Sequence, residues 1–275
     1  MVGIQNKFAP GVLLGHVLMI LLCLLVAFPL YWMILTSLRP PGELYSTALI
    51  PSGITFDHYA YVMESLPVWR LLGNTFAMSL GRTVFQLLTA LLAAYAFARW
   101  RFPGAAIFFA LFAFTWLVPQ QVTMIPNYVL VSRLGWLNTL SGLVVPNIVS
   151  TFAIFLLYQQ IKGFPRDLID AAHVDGASNW GILWRVIVPN VKPALAALAI
   201  LLFISAWNDY FWPLLVTNRL ETSVLQLGLQ AFLTQEGDLW GPMMAAATLT
   251  ALPIFLLYLV LQRQIIESFV KSGLR

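Results

Sequence analysis

The sequence predicts an all-α, polytopic membrane protein with six transmembrane helices. Three observations carry that prediction. Hydrophobic residues make up 60% of the 275 positions and charged residues only 9%, whereas a soluble domain carries about 25% charged residues. The apolar residues gather into six runs, each near the ~20 residues that cross a hydrocarbon core. Lys and Arg are distributed unequally between alternate connecting segments, as they are in chains that cross a bilayer repeatedly.

Taken in order, residues 1–10 form a short polar tail with Lys7, and residues 11–36 the first transmembrane helix. That run is longer than the core of a signal peptide and no small-residue cleavage site follows it, so it is read as a retained helix. Residues 37–70 are a hydrophilic extracytoplasmic segment with Pro40, Pro41, Pro51 and Gly53. Residues 71–263 form the core transmembrane domain, with spans placed at 71–97, 105–131, 141–158, 194–216 and 243–262. A basic turn at 98–101 follows the second span, and the loop 159–193 separates the fourth from the fifth. Residues 264–275 form a C-terminal tail.

With the N-terminus inside, ten Lys and Arg fall on the inner side and four on the outer; Arg82 lies within a span, which completes the 15 of the composition. The positive-inside rule thus predicts cytoplasmic termini and a cytoplasmic 159–193 loop. The net charge of +4 reflects this bias, and without a concentrated basic patch it does not indicate nucleic-acid binding. Cys23 is the one cysteine, which excludes an intrachain disulfide framework and a cysteine-based metal site. It sits in an apolar run and reads as a packed small hydrophobe. His16, His58 and His173 are far apart in sequence and suggest no metal-ligand cluster.

The longest polar interruption in the C-terminal half is residues 167–193. Pro165 suits the first position of a short helix, in which Leu168, Ile169 and Ala172 share one face. Asp175-Gly176 breaks that helix. Ser178 is an N-cap for a second helix through Trp180, Leu183 and Trp184 to Val188, and Pro189 and Pro193 stop or re-aim the chain. Ala171, Ala172, Gly176 and Ala177 have little or no side chain, so a partner's backbone can come close. The carboxylates of Asp170 and Asp175 can pair with a partner's Arg or Lys. The Asp-Gly turn by itself equally suits an ordinary loop joining two spans.

Polar residues inside the spans are few. Arg82 lies about eleven residues into the second span; at mid-bilayer an Arg costs roughly 2.5–3.5 kcal/mol on insertion scales, so it must face protein or water. It reads either as a structural Arg satisfied by carbonyls or a neighbouring helix, or as a ligand group. Pro119 to Pro126 interrupts the third span, either as a simple kink or as irregular backbone lining a cavity. Gln120, Gln121, Asn127 and Tyr128 stand there with hydrogen-bonding groups suited to a hydroxyl-rich ligand. Trp207, Asn208, Asp209, Tyr210, Phe211, Trp212 and Pro213 lie toward the outer end of the fifth span. Aromatics there suit an interfacial belt. Rings beside an amide and a carboxylate also suit a sugar, which stacks its apolar faces and hydrogen-bonds its hydroxyls.

Read together, Asp170-Ala171-Ala172, Asp175-Gly176-Ala177 and Ile187-Val188-Pro189 resemble the EAA loop of ABC importer permeases over roughly twenty residues. Asp170 stands where the pattern has Glu, and Val188 where it has Leu. The resemblance continues through Asn74-Thr75-Phe76, the run Ala93 to Arg99, Arg101-Phe102-Pro103-Gly104, Trp207-Asn208-Asp209-Tyr210, Leu239-Trp240-Gly241-Pro242 and Leu261-Gln262-Arg263. These are similar to the carbohydrate branch of type I ABC importer permeases, the maltose-type and glycerol-3-phosphate-type systems, and to the second permease of the pair.

That resemblance implies the type I importer permease fold with a cytoplasmic coupling helix. It implies a permease for ATP-driven, binding-protein-dependent import of a sugar or a related polyol or glycerol-phosphate compound, in the inner membrane of a bacterial or archaeal cell. The implied partners are a second homologous permease, two ABC ATPase subunits that bind ATP and Mg, and an extracytoplasmic solute-binding protein. Asp170, Ala171, Ala172, Asp175, Gly176, Ala177 and Pro189 become ATPase-coupling residues. Gln120, Gln121, Asn127, Trp207, Asn208, Asp209 and Tyr210 become candidates for the cargo route. Thr234, Gln235, Glu236, Gly237 and Asp238 match the loop that reaches toward the binding protein, and Glu267 to Arg275 a tail that touches the ATPases. The chain itself is expected to be non-catalytic, for it has no GxxxxGK[ST], HExxH or GxSxG motif. The alternative is an ATPase-independent secondary carrier for a small polar solute, which would want paired intramembrane carboxylates or an inverted repeat with broken helices. A membrane enzyme ranks third, because no acid–base or metal cluster is visible.

Overall fold

A computed structural model describes residues 10–233 and 239–273. Among the described residues the secondary structure is helical, without strands. Four helices are long and apolar enough to cross a membrane, and six spans result if each of two bent helix pairs is taken as one. The chain divides into two compact units, residues up to Leu66 with Leu229–Leu252, and Pro67–Gly228 with the residues from Pro253 onward.

In the first unit, α1 (Pro10–Ser37) is apolar on every side, and its large side chains from Leu13 to Val26 are exposed. A helix of that kind faces lipid or a partner. Cys23 shares this exposure, so it is not the packed core residue that the sequence suggests. Beyond α1 the chain turns around Arg39, which is fully buried. Its guanidinium lies 4.8 Å from the Trp32 ring centroid and donates to the carbonyls of Glu43, Ser46 and Ala48. Carbonyl dipoles and an aromatic face thus replace the water lost on burial. The next helix, α2 (Asp57–Ser65), is tied back by the Ser37–Tyr59 hydroxyl pair at 2.7 Å. His58 Nε2 also donates to the Arg39 carbonyl at 2.9 Å. Gly241 lies so close that a Cβ there would stand 2.3 Å from the His58 ring.

The second unit begins with α3 (Val68–Arg99), 32 residues long. The third span is two helices, α4 (Ala105–Leu117) and α5 (Gln120–Arg133), bent by 98°. Pro119 makes the break, for Val118 before it is driven extended, as residues preceding Pro are. Pro126 sits inside α5 without ending it, so the interruption is narrower than the sequence suggests. The fourth span, expected to be continuous, is also bent. A short α6 (Leu140–Val144) passes through a 3-10 turn at Val145–Asn147 into α7 (Thr151–Lys162), with a 48° bend. Pro146 marks the turn, and Ser150 caps α7 by accepting from Ala153 N at 3.3 Å.

After α7 come α8 (Arg166–Val174), α9 (Asn179–Ile182), a π-helical turn at Leu183–Ile187 and α10 (Val188–Trp207). From Asn179 to Trp207 these form one uninterrupted span of 29 residues. Pro189 and Pro193, expected to stop or re-aim the chain, both lie inside this helix without ending it. The wide π turn just ahead re-routes the backbone bonds that Pro cannot make. The fifth span breaks at its other end instead, at Asn208–Tyr210, before α11 (Phe211–Val216). A short α12 (Leu225–Gly228) precedes α13 (Trp240–Gly273).

Helices α7 and α10 pack along α3. Ala90 and Ala94 of α3 and Ala153 of α7 are fully buried, and such small residues let helix backbones approach closely. Around them Leu91, Ile154, Leu157, Ile161, Leu183 and Leu198 complete one core. The Asn74-Thr75 pair anchors the start of α3. Asn74 Nδ2 donates to the Glu221 and Ser223 carbonyls at 2.9 and 2.8 Å, and Thr75 Oγ1 accepts from Leu225 N at 2.8 Å.

Candidate functional site

The breaks in the third, fourth and fifth spans converge on one cavity of ≈ 470 Å³ in the second unit. Its charged group is an ion pair. Arg82 Nη1 lies 2.6 Å from Asp209 Oδ2, with side chains 4% and 18% exposed. Arg82 Nε also donates to the Leu143 carbonyl at 2.8 Å, and Asp209 Oδ1 accepts from Trp212 N at 3.4 Å. Arg82 therefore ties the middle of α3 to the end of α6 and to the break between α10 and α11. Of the two sequence readings of Arg82, the structure supports a structural role, with Asp209 as its countercharge and the Leu143 carbonyl as an acceptor.

Amides and hydroxyls make up the rest of the polar wall. Gln86 Nε2 donates to the Asn147 carbonyl at 2.6 Å, and Gln120 Nε2 to Asn147 Oδ1 at 3.3 Å. Asn127, Ser150 and Ser205 also line the space. Arg82 Nη2 and Asn147 Nδ2 are buried without a hydrogen-bond partner.

The cavity therefore takes Gln120, Asn127 and Asp209 from the candidates named from sequence, and leaves out Gln121, Trp207, Asn208 and Tyr210. Trp207 is 1% exposed and stacks on Phe203 at 5.8 Å, which is packing. Asn208 turns back on its own helix, donating to the Ile204 carbonyl at 3.0 Å and accepting from Gln226 Nε2 at 3.3 Å. Tyr210 packs edge-on to Phe211. Trp212 lines the cavity while its Nε1 donates to the Gly142 carbonyl at 2.9 Å. Sequence reasoning missed Gln86, Asn147, Ser150 and Ser205; each is an isolated polar residue in an apolar run, and Pro146 beside Asn147 was the one further signal. Thr234, Gln235, Glu236, Gly237 and Asp238 lie outside the described residues.

At the far end of α3 stands the polar stretch 167–193, termed the lever. Pro165 is the N-cap of α8 rather than its first residue. Ile169 is buried, and Ala172 and Ala177 pack on the core formed by Ile161, Ile182 and Leu183. Leu168, expected on the same face, is 51% exposed. Asp170, Ala171, Asp175, Gly176 and Pro189 are exposed, and so is Val174, at 87%. The turn is made by Gly176 at φ 79°, a conformation that glycine adopts without steric cost; a Cβ there would meet open space. Ser178 caps α9 by accepting from Gly181 N at 3.1 Å.

The lever is fastened to α3. The Tyr95 hydroxyl donates to the Asn179 carbonyl at 2.9 Å, and Arg99 Nη2 to the Ile161 and Phe164 carbonyls at 2.8 and 3.3 Å. Beside these bonds a cleft of ≈ 700 Å³ opens, with Arg101, Arg166, Asp170 and His173 on its walls. No cluster of three or more His, Cys, Asp or Glu that could hold a metal occurs among the described residues.

Residues 73–270 match the family described as binding-protein-dependent transport system inner membrane component. The chain is 32% identical over 256 residues to the arabinooligosaccharides transport system permease protein of Halalkalibacterium halodurans, covering 91% of this chain and 92% of that one. It is 32% identical to a diacetylchitobiose uptake system permease protein of Streptomyces coelicolor, over 91% and 92% of the two chains. It is 30% identical to an sn-glycerol-3-phosphate transport system permease protein of Yersinia enterocolitica, over 94% and 95%. Its fold is similar to a chain in the crystal structure of a bacterial ABC transporter involved in the import of the acidic polysaccharide alginate, with a TM-score of 0.81 and 26% identity over 94% and 97%.

Proposed function

The chain belongs to the binding-protein-dependent transport system inner membrane component family, and from that premise we propose that it is one permease of an ATP-driven importer for a sugar or a related polyol or glycerol-phosphate compound. Related permeases carry names in both cargo classes. In this reading it forms the route with a second homologous permease. Two ATPase subunits bind ATP and Mg, one docking on this lever and the other on the matching loop of the second permease, and an extracytoplasmic solute-binding protein delivers the cargo. The excess of Lys and Arg puts the lever and both termini in the cytoplasm.

The observation that carries the reading is mechanical. The lever and the cavity lie at the two ends of one continuous helix, Asn179–Trp207, roughly 40 Å long at ~1.5 Å per residue. Asp209 follows that helix by two residues and lines the cavity. A partner that moves α8 and α9 therefore moves a cavity wall with them, and two positions of this rigid element supply the two states of alternating access. Asp170, Ala171, Ala172, Asp175, Gly176, Ala177 and Pro189 form the ATPase-coupling surface, with exposed Val174 as an apolar contact among them. Gln120, Asn127 and Asp209 lie on the cargo route. The secondary-carrier alternative would want paired intramembrane carboxylates or an inverted repeat with broken helices; among the described residues the cavity is lined by one carboxylate, Asp209, and Arg82 neutralises it.

The test is reconstitution. The isolated chain should hydrolyse no ATP. Hydrolysis and uptake into proteoliposomes should appear together once the second permease and the ATPases are added, and rise with loaded binding protein. Uptake that persists in the complex when ATP is withheld would overturn the reading.

A further inference from the structure

We propose that the cavity is a cargo site for uncharged, polyhydroxylated molecules, and that the Arg82–Asp209 pair, by cancelling its own charge, leaves the cavity without the excess cation that an anionic cargo needs. This rests on the import function above and narrows it. Of the two cargo chemistries in that reading, neutral saccharide and anionic glycerol phosphate, the cavity fits the first.

The argument starts from charge. Among the described residues, Arg82 and Asp209 are the charged side chains that line the cavity, and they cancel at 2.6 Å. A phosphate or carboxylate entering this space meets no cation in excess. Arg82 has already committed Nη1 to Asp209 and Nε to the Leu143 carbonyl.

The remaining wall suits hydroxyls. Gln86, Gln120, Asn127, Asn147, Ser150 and Ser205 carry amides and alcohols, which donate and accept without carrying net charge. Saccharide hydroxyls both donate and accept, so they pair with these groups and leave the ion pair intact.

The experiment reads the sign of the cavity's potential directly. The assembled importer in lipid nanodiscs carries Cys23→Ala and Ser205→Cys, with Thr123→Cys as a second wall position. Its introduced thiol is modified by methanethiosulfonates of similar size, one anionic (sulfonatoethyl) and one cationic (trimethylammonioethyl). Each rate is normalised to that of free 2-mercaptoethanol. With the native pair the two normalised rates should agree within about threefold, as expected where opposite charges cancel. Asp209→Asn leaves Arg82 uncompensated and should raise the anionic-to-cationic ratio by roughly tenfold; Arg82→Gln with Asp209→Asn should restore it. In a parallel arm, proteoliposomes with the cognate binding protein are offered neutral disaccharides and diacetylchitobiose, and separately glycerol 3-phosphate and uronate oligosaccharides. Uptake of the neutral compounds alone is expected. A native cavity that favours the anionic reagent tenfold, or uptake of an anionic compound, overturns the proposal. Absence of ATP-dependent uptake for every compound would instead overturn the import function, and the thiol ratios would still report the charge of the cavity.

Discussion

Arg82 in α3 and Asp209 beyond the end of α10 are 127 residues apart in the chain and 2.6 Å apart in the fold. Both line the cavity that the broken spans create, and their bond ties α3 to the end of the helix that begins at the lever. Removing one member leaves the other as an uncompensated buried charge, which costs about 3–5 kcal/mol. Asp209 is 18% exposed, which places this pair toward the lower end. Arg82→Met and Asp209→Leu should each lower the thermal stability of the purified complex, and the double variant should lose less than the two losses added. Strictly additive losses would show that the two side chains do not act as a pair.

The membrane class and the lever were legible because their signals are local. Runs of apolar residues set the spans, while Asp175-Gly176 and Ser178 act within a turn of where they stand. The bend in the fourth span was not legible, because its signals at Val145–Asn147 are one Pro and one Asn, and a Pro inside a span is also compatible with an unbroken helix, as Pro126 and Pro193 show. The cavity was legible only in pieces. Gln120, Asn127 and Asp209 announced themselves by polarity, but so did Asn208, and only the helix rotation separates a residue facing the cavity from one bonded to its own backbone. Arg82 looked unpaired because its partner lies in another span.

Gly176 tests the lever without touching its core. At φ 79° a residue with a Cβ is strained by roughly 1–2 kcal/mol, and Asn tolerates this conformation better than a β-branched residue does. No clash adds to the strain, because the space around the position is open. Gly176→Val should leave membrane insertion intact and reduce uptake and ATPase retention together, with Gly176→Asn closer to the parent. Normal ATPase pull-down and uptake in Gly176→Val would remove the turn from the coupling surface.

Gly241 tests close packing in the first unit. A Cβ at this position would stand 2.3 Å from the His58 ring, and overpacking of that kind costs about 1–3 kcal/mol. Gly73 in α3 is the control, with open space around its absent Cβ. There, Gly→Ala in a compatible conformation stabilises by about 0.4–1 kcal/mol. Gly241→Ala should therefore lower the melting temperature of the complex while Gly73→Ala holds or raises it; equal shifts would contradict the contact.

Trp207 and Gln120 separate packing from cargo contact. Trp207 is 1% exposed and stacked on Phe203, so Trp207→Ala should cost about 3–5 kcal/mol as a large-to-small core change. The yield of assembled complex should fall, and uptake should fall with it, leaving uptake per complex unchanged. Gln120 is exposed at the head of α5 and reaches Asn147 across the cavity. Gln120→Ala should leave assembly intact and remove one hydrogen bond to cargo, worth about 0.5–1.5 kcal/mol, or roughly two- to tenfold in the half-saturating concentration for transport. Gel filtration of the complex alongside uptake, measured over a range of concentrations of loaded binding protein, distinguishes the two. If Gln120→Ala and Asn147→Ala both leave the half-saturating concentration unchanged while Trp207→Ala raises it, cargo passes the aromatic cluster rather than the amide-lined cavity.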